Sequence, residues 1–134
     1  MSHQLTFSVL PDRFAVCRLA PTADVPSWIL APGFFSVTRT ADELSIVCRE
    51  DRVPEGCRAE KGWSALRLEG PFPFALTGVL AAFLEPLAQA KIPIFAIATF
   101  DTDYVLIKQE DTEKAVRVLA AAGHEQEVKS QKSN

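Results

Sequence analysis

The sequence predicts an α+β protein of two tandem modules, each with the element order β-α-β-β-α-β and with helices on one face of an antiparallel sheet. Three observations predict this fold class. In the second half of the chain, apolar runs typical of strands alternate with two helical patterns. In the first half, two stretches repeat the pattern of the second. The 134 residues are 48% hydrophobic and 23% charged, which suits one compact domain or two very small ones.

The second half begins with a strand and a helix. SALRLEG is the strand, and PFPF after it is an extended linker because proline restricts its own backbone and that of the preceding residue. In LTGVLAAFLEPLAQAKI, large apolar residues recur at helical spacing between Leu80 and Leu87, so one helix face is buried. Thr77 is the predicted N-cap. Pro86 removes one helical hydrogen bond, and a kink or break is expected there.

A hairpin and a second helix follow. IPIFAIATF and YVLIKQE are predicted to be two strands buried on both or nearly both faces and joined at the corner formed by Asp101, Thr102 and Asp103. DTEKAVRVLAAAGHE is a helix that Asp111 or Thr112 caps and Gly123 stops. HEQEV supplies a last strand, and KSQKSN is a polar tail.

The first half repeats this pattern in a reduced form. FAVCRLAP matches WSALRLEGP, and TADELSIVC matches FDTDYVLIK, which indicates a duplicated unit. FAVCRLA is a strand, VPSWIL a short helical turn, and FFSVTRT with ELSIVCRE a hairpin. VPEGCRAEKG has no helical period, so we predict that the second helix and last strand of this copy are degenerate. The predicted organisation is a degenerate module at 1–61, a complete module at 62–128 that shares an interface with it, and a disordered tail at 129–134.

Composition excludes several function classes. A net charge of -3, with no block of like charges, argues against nucleic-acid binding. No apolar stretch approaches the roughly 18 residues of a membrane span, so a cytoplasmic protein is expected. Cys17, Cys48 and Cys57 include no C-x-x-C pair, and we expect them to be reduced and structural. No glycine-rich phosphate motif and no spacing of metal ligands occurs, so no cofactor and no metal is expected.

Particular motifs carry a resemblance to a known family. They are LTGVLA, PLAQAKI-I and T-F-x-x-D-Y-x-L in the second half, with FAVCRL and SVTRT-DELSIVC in the first. The chain resembles the ACT-domain family, and within it the small tandem-ACT proteins of bacteria, which are similar to the regulatory modules of aspartate kinases and to cytosolic arginine sensors. The resemblance implies a ferredoxin-like fold and a regulatory module that binds an amino acid or similar ligand, often at the interface between two modules. It implies no catalysis.

The same resemblance and a physical argument point to one region for the ligand. The family pocket corresponds here to residues 69–80 and 94–103. Amides at a helix start are free donors at the positive end of the helix dipole, so Gly78 and Val79 could bind a carboxylate. Asp101 or Asp103 could hold the ammonium group. The resemblance to the arginine sensors favours Thr99, Phe100 and Asp103. The candidate ligand-binding residues are Gly70, Thr77, Gly78, Val79, Leu80, Thr99, Phe100, Asp101 and Asp103.

Simpler interpretations stay open for the same residues. Asp101 and Asp103 also suit a solvated turn, since aspartate bonds its own backbone there. Thr77 and Gly78 also suit a plain helix cap. We expect no catalytic residue, because a hairpin corner rarely encloses a carboxylate pair. The alternative function is a ligand-free interaction module that forms dimers through an exposed sheet edge or through the helix-free face of the sheet. The expected partners are an amino acid and either a second copy of the chain or a regulated enzyme.

Overall fold

The computed structural model describes residues 4–30, 32–72 and 77–127. The predicted linker residues Pro73 and Phe74 and the predicted tail at 129–134 lie outside these ranges. The chain divides into two compact units, a smaller one at 12–63 and a larger one formed by 1–11 together with 64–134. Residues 1–11, which the sequence analysis assigned to the first module, therefore belong to the larger unit in the structure.

The described residues form eight strands and two α-helices. In chain order they are β1 (Thr6–Val9), β2 (Phe14–Leu19), β3 (Ser36–Arg39), β4 (Leu44–Arg49), β5 (Ala59–Leu68), α1 (Val79–Gln89), β6 (Ile94–Ala98), β7 (Asp103–Lys108), α2 (Thr112–Ala121) and β8 (Glu125–Gln126). From β5 to β8 the order is β-α-β-β-α-β, so the predicted α+β fold class is confirmed.

The amino-terminal strand is built into the sheet of the larger unit. β1 runs antiparallel to β5, with Phe7 opposite Leu68, and parallel to β8, with Phe7 opposite Gln126. The strand order in this unit is β6-β7-β5-β1-β8. β5 and β8, the first and last strands of the β-α-β-β-α-β unit, are thus separated by β1, which comes from the amino-terminal end of the chain.

The core of the larger unit lies between this sheet and its two helices. Apolar residues of β5 and β7 alternate inward, and the helical spacing predicted for α1 places Phe83 and Leu87 against them. Phe7 of β1 stacks edge-on against Phe83, with 5.5 Å between the ring centroids. The buried residues of this core include Phe7, Leu66, Leu68, Val79, Phe83, Leu87, Val105, Ile107, Ala115 and Leu119.

The hairpin is buried less evenly than predicted. Val105, Leu106 and Ile107 of β7 are fully buried, as expected. The prediction that β6 is also buried on both or nearly both faces is wrong, because Ile94, Ala96 and Ala98 are exposed. Among the described strands β6 pairs only with β7 and so forms the sheet edge. An apolar run predicts a strand, but it does not reveal whether a second strand lies beside it.

The start of α1 also differs from the sequence prediction. The N-cap is Gly78, not Thr77, and Gly78 adopts a left-handed conformation with a φ of 79°. The first intrahelical bond runs from the amide of Ala82 to the carbonyl of Gly78. Because glycine alone enters this region without steric cost, Gly78 sets the helix start one residue later.

The end of α2 agrees with the sequence prediction, whereas its start has no side-chain cap. Gly123 stops α2 as predicted, with a φ of 98° and a bond from the His124 amide to the Leu119 carbonyl. Asp111 occupies the N-cap position of α2 but makes no side-chain capping bond. The hydroxyl of Thr112 instead hydrogen-bonds the Ser64 hydroxyl at 3.1 Å.

Pro86 does not break α1, which continues to Gln89. Proline has no N–H, so the carbonyl of Ala82, four residues earlier, lacks its helical donor. The Nε2 atom of His124 lies 3.1 Å from that carbonyl oxygen, and the Leu5 amide donates to His124 Nδ1 at 3.1 Å. Since Nδ1 accepts, the neutral ring carries its proton on Nε2 and donates it to Ala82. One buried imidazole therefore replaces the missing helical bond and holds the start of β1.

The smaller unit is a sheet in the order β3-β4-β2-β5, to which β5 contributes its first residues. The predicted hairpin of β3 and β4 is present, with Thr40 Oγ1 accepting the amides of Asp42 and Glu43 at its corner. VPSWIL forms the predicted short turn, a 3-10 helix at Ser27–Ile29. Short 3-10 turns are the only helical elements among this unit's described residues, which agrees with the missing helical period.

Candidate functional site

In the larger unit, the corner of the β6–β7 hairpin is fixed to the segment that leaves β5. The Thr102 hydroxyl donates to the Leu68 carbonyl at 2.7 Å, and the Phe72 amide donates to the Asp101 carbonyl at 3.0 Å. Thr102 is buried, so its bond is shielded from water. The two segments that the sequence analysis proposed as the sides of a ligand site are therefore in direct contact.

The corner itself is closed by two threonines. The amide and the hydroxyl of Thr99 both donate to the Thr102 carbonyl at 2.8 Å, and the Thr102 amide donates to Thr99 Oγ1 at 3.2 Å. Thr99 belongs to the predicted set, but the sequence analysis missed Thr102. Its position between two aspartates at a turn was the signal, since a threonine there can bond the backbone on either side.

Gly70 occupies the closest approach between the two segments. A Cβ atom at this position would lie 2.8 Å from the Asp101 carbonyl oxygen and 3.1 Å from the Thr102 Cβ. The hydrogen bonds just described hold both Asp101 and Thr102 in place, so neither residue can shift without moving the whole corner. Any side chain at this position would consequently displace the corner from the strand end.

The start of α1 brings together Thr77, Gly78, Val79 and Leu80. The Val79 side chain is buried and that of Leu80 is half-buried, so both point toward the core. What these residues can offer a ligand is their backbone. The amides of residues 79–81 precede the first intrahelical donor at Ala82 and have no acceptor within the helix. This end of the helix is also the positive end of its dipole.

The two aspartates of the corner differ in environment. Asp103 is half-buried, and burial raises the pKa of its carboxyl above the ordinary value. Asp101 is exposed, and its backbone carbonyl is already used by Phe72. Phe100, between Thr99 and Asp101, leaves 79% of its surface exposed. A carboxylate that is partly withdrawn from water gains more from a cation than an exposed one, so Asp103 is the stronger ligand candidate.

A shallow, open groove of about 720 Å³ lies on the same unit, at the β1–β8 end of the sheet. The Glu69 carboxylate in it accepts from the Ser8 hydroxyl at 2.8 Å and from Arg67 at 3.3 Å. None of the nine predicted site residues lines this groove, although Glu69 and Phe72 come from the predicted segment. The lining residues are Gln4, Leu5, Thr6, Glu69, Phe72, Glu125, Gln126 and Glu127.

Within the described ranges, no group of three or more histidine, cysteine, aspartate or glutamate side chains is arranged to hold a metal ion. None of the helices found there has the length and apolar character needed to cross a membrane.

The larger unit is thus a small α+β module with the order β-α-β-β-α-β, and its hairpin corner is hydrogen-bonded to the end of the module's first strand. A family model described as "ACT domain" matches residues 58–121, so this part of the chain belongs to the ACT-domain family. A separate model for an N-terminal domain matches residues 12–56. The two matched ranges are separated by Cys57, two residues before β5 begins.

Solved structures and a curated relative agree with this assignment. A protein of Agobacterium tumefaciens is 37% identical, with a TM-score of 0.91 and with 99% of each chain covered. Aspartate kinase from Synechocystis has a TM-score of 0.67 at 15% identity, covering 99% of this chain and 29% of the enzyme, and this likeness shows the fold alone. Cytosolic arginine sensor for mTORC1 subunit 1 of Bos taurus is 24% identical over 98 residues, which are 65% of this chain. The match spans only 30% of that sensor's length.

Proposed function

We propose that this protein is a regulatory small-molecule-binding module that senses an amino acid at the larger unit. In this proposal the amides at the start of α1 take the carboxylate, and Asp103 takes the ammonium group or a cationic side chain. Membership of the ACT-domain family supports a regulatory ligand site. One relative is by name a cytosolic arginine sensor, which supports an amino acid as the ligand.

One observation carries the proposal: the hairpin corner is tied to the end of β5 by the Thr102–Leu68 bond and by the close fit at Gly70. A site gains affinity when its polar groups are held in place before the ligand arrives, because less conformational entropy is lost on binding. Asp103 follows this corner directly and starts β7, so its carboxylate is carried by a rigid element.

The state of Asp103 supports a cationic ligand group. Burial raises its pKa, which means that the surroundings disfavour the ionised carboxylate. An ammonium or guanidinium group placed against it would relieve that penalty with a charge-assisted hydrogen bond. The exposed ring of Phe100, which follows Thr99, could make a cation–π contact with the same ligand group.

Calorimetry with each of the twenty amino acids tests this site. We expect at least one of them to bind more tightly than about 1 mM, which corresponds to roughly 4 kcal/mol. Asp103→Asn keeps the shape of the side chain and removes its charge, and it should weaken binding about 10- to 100-fold, the worth of one hydrogen bond to a charged group.

The matched control is Asp42→Asn, which removes the same charge at the exposed corner of the β3–β4 hairpin. It should leave the affinity unchanged. The site is wrong if no amino acid binds below the millimolar range, or if Asp103→Asn and Asp42→Asn behave alike.

The exposed edge of the sheet favours a second candidate function, a protein-interaction module. Ile94 on β6 is 36% exposed, and β7 is the only described strand that pairs with β6, so the other edge of β6 could take a strand from a partner. Such a module should self-associate in sedimentation experiments whether or not an amino acid is added. Ile94→Lys should then disperse the assembly, because a charged edge residue opposes strand pairing. Association that appears only with the ligand would favour the sensor.

A further inference from the structure

The three cysteines, far apart in the sequence, lie on one face of the sheet in the smaller unit. Cys17 of β2 lies opposite Ile46 of β4 on one side and opposite Ala59 of β5 on the other. Cys48 is two residues beyond Ile46, and Cys57 is two residues before Ala59. Because side chains alternate faces along a strand, residues two apart share a face, so Cys48 lies on the same face as Cys17. Cys57 precedes β5 and packs against the cluster that contains both of them.

Side-chain packing gives the same arrangement. Cys17 and Cys48 belong to the core cluster of the smaller unit, where they are 2% and 1% exposed, and Cys57 packs against that cluster from its rim. The thiols of Cys48 and Cys57 both lie close enough to Cys17 to influence its pKa. Burial raises the pKa of the Cys57 thiol. The neighbouring Cys48 raises the pKa of Cys17, and Cys17 in turn lowers the pKa of Cys48.

The three thiols differ in access and in freedom to move. Cys57 is only half-buried and lies in a turn closed by its own amide on the Pro54 carbonyl. The position beside it, Gly56, has a φ of 87° and open space where a side chain would stand. Cys17 and Cys48 are ladder residues of paired strands. Diagonal positions on paired strands hold their Cβ atoms farther apart than the ~4 Å of a disulfide, so one partner must move. Only the turn that carries Cys57 is outside the strand ladder.

We propose that Cys57 and Cys17 form a redox-modifiable pair, in which a peroxide oxidises the accessible Cys57 and Cys17 resolves it to a disulfide. In the first step the Cys57 sulfur attacks one peroxide oxygen, the O–O bond breaks, and the products are a sulfenic acid and water. In the second step the Cys17 sulfur attacks the Cys57 sulfur, the S–O bond breaks, and water leaves with the Cys17 proton. Two thiols and one peroxide thus give one disulfide and two waters.

The resulting disulfide would join the turn before β5 to the central strand of the smaller unit. Oxidation would therefore change the unit that does not carry the proposed amino-acid site. This inference is independent of that site and stands or falls without it.

Peptide mapping distinguishes the possible pairs directly, because trypsin separates the cysteines into peptides 14–18, 40–49 and 53–58. The purified chain is treated with hydrogen peroxide, alkylated, and digested without reduction. We expect a cross-link between peptides 14–18 and 53–58 and a free thiol in peptide 40–49. Before oxidation, the native protein should be alkylated at Cys57 at least about tenfold faster than at the two buried cysteines.

Three variants make the result decisive. Cys57→Ser should abolish the cross-link, Cys48→Ser should retain it, and Cys17→Ser should leave a sulfenic acid on Cys57 that dimedone traps. The proposal is overturned by a dominant cross-link between peptides 14–18 and 40–49, by disulfides between two chains, or by thiols that stay free in peroxide. It is equally overturned if Cys48→Ser removes the cross-link while that variant keeps its native circular dichroism.

Discussion

Replacing His124 with alanine should destabilise the larger unit strongly. The ring donates to the Ala82 carbonyl, accepts the Leu5 amide, and packs beside Phe83 at 5.5 Å between ring centroids. Its removal leaves two backbone groups without their partners in a site where His124 is 5% exposed. Each unsatisfied group costs about 1–3 kcal/mol, and the space left beside Phe83 adds to this. We expect the free energy of unfolding to fall by about 3–5 kcal/mol.

A double-mutant cycle with Pro86 tests the stated cause. Pro86→Ala supplies the N–H that the Ala82 carbonyl lacks, so it should recover about 1–2 kcal/mol more in the His124→Ala background than in the wild type. The gain in helix propensity from Pro86→Ala is present in both backgrounds and cancels in the cycle.

Urea unfolding followed by circular dichroism gives the four free energies. Equal slopes against urea would show that the variants unfold the same surface. If the two substitutions are additive to within about 0.5 kcal/mol, the imidazole does not stand in for the missing helical bond and the reasoning fails.

Substitutions at three further positions test other features of the larger unit. Gly70→Ala forces a Cβ against the Asp101 carbonyl, so it should lower the free energy of unfolding by about 1–3 kcal/mol and abolish amino-acid binding. An unchanged urea midpoint would contradict this. Because the pKa of Asp103 is raised in the folded state, the native protein holds its proton to higher pH than the unfolded chain, and stability falls as pH rises from 3.8 through the raised value. Asp103→Asn should remove that dependence and melt at a higher temperature than the wild type at neutral pH, which scans across pH would reveal. Gly123→Ala should cost about 1 kcal/mol because its φ is 98°, and Gly123→Asn should cost less.

The order of elements in the larger unit was predictable because it depends on local periodicity. The helical spacing between Leu80 and Leu87 and the apolar run that became β7 specify an element type without reference to the rest of the chain. Burial of β6 was not predictable in the same way. Both strands come from apolar runs, yet among the strands that the structure describes β7 pairs with two neighbours and β6 with one.

The candidate site was predictable only in part. The hairpin corner from Thr99 to Asp103 is contiguous, and its turn chemistry is visible in the sequence. The contact between Gly70 and Asp101 joins segments about thirty residues apart, and no local pattern marks it. The bond from Thr102 to Leu68 that fixes the corner is equally non-local.

The sequence by itself determined which segments become strands or helices, that Gly123 ends the second helix, and which family motifs the chain carries. The tertiary structure decided the partners: β1 beside β8, His124 beneath the helix that contains Pro86, and three thiols on one sheet face. The physical reason is that periods of two and 3.6 residues fix the type and the buried face of an element, whereas strand pairing and buried hydrogen bonds join residues whose separation leaves no periodic trace.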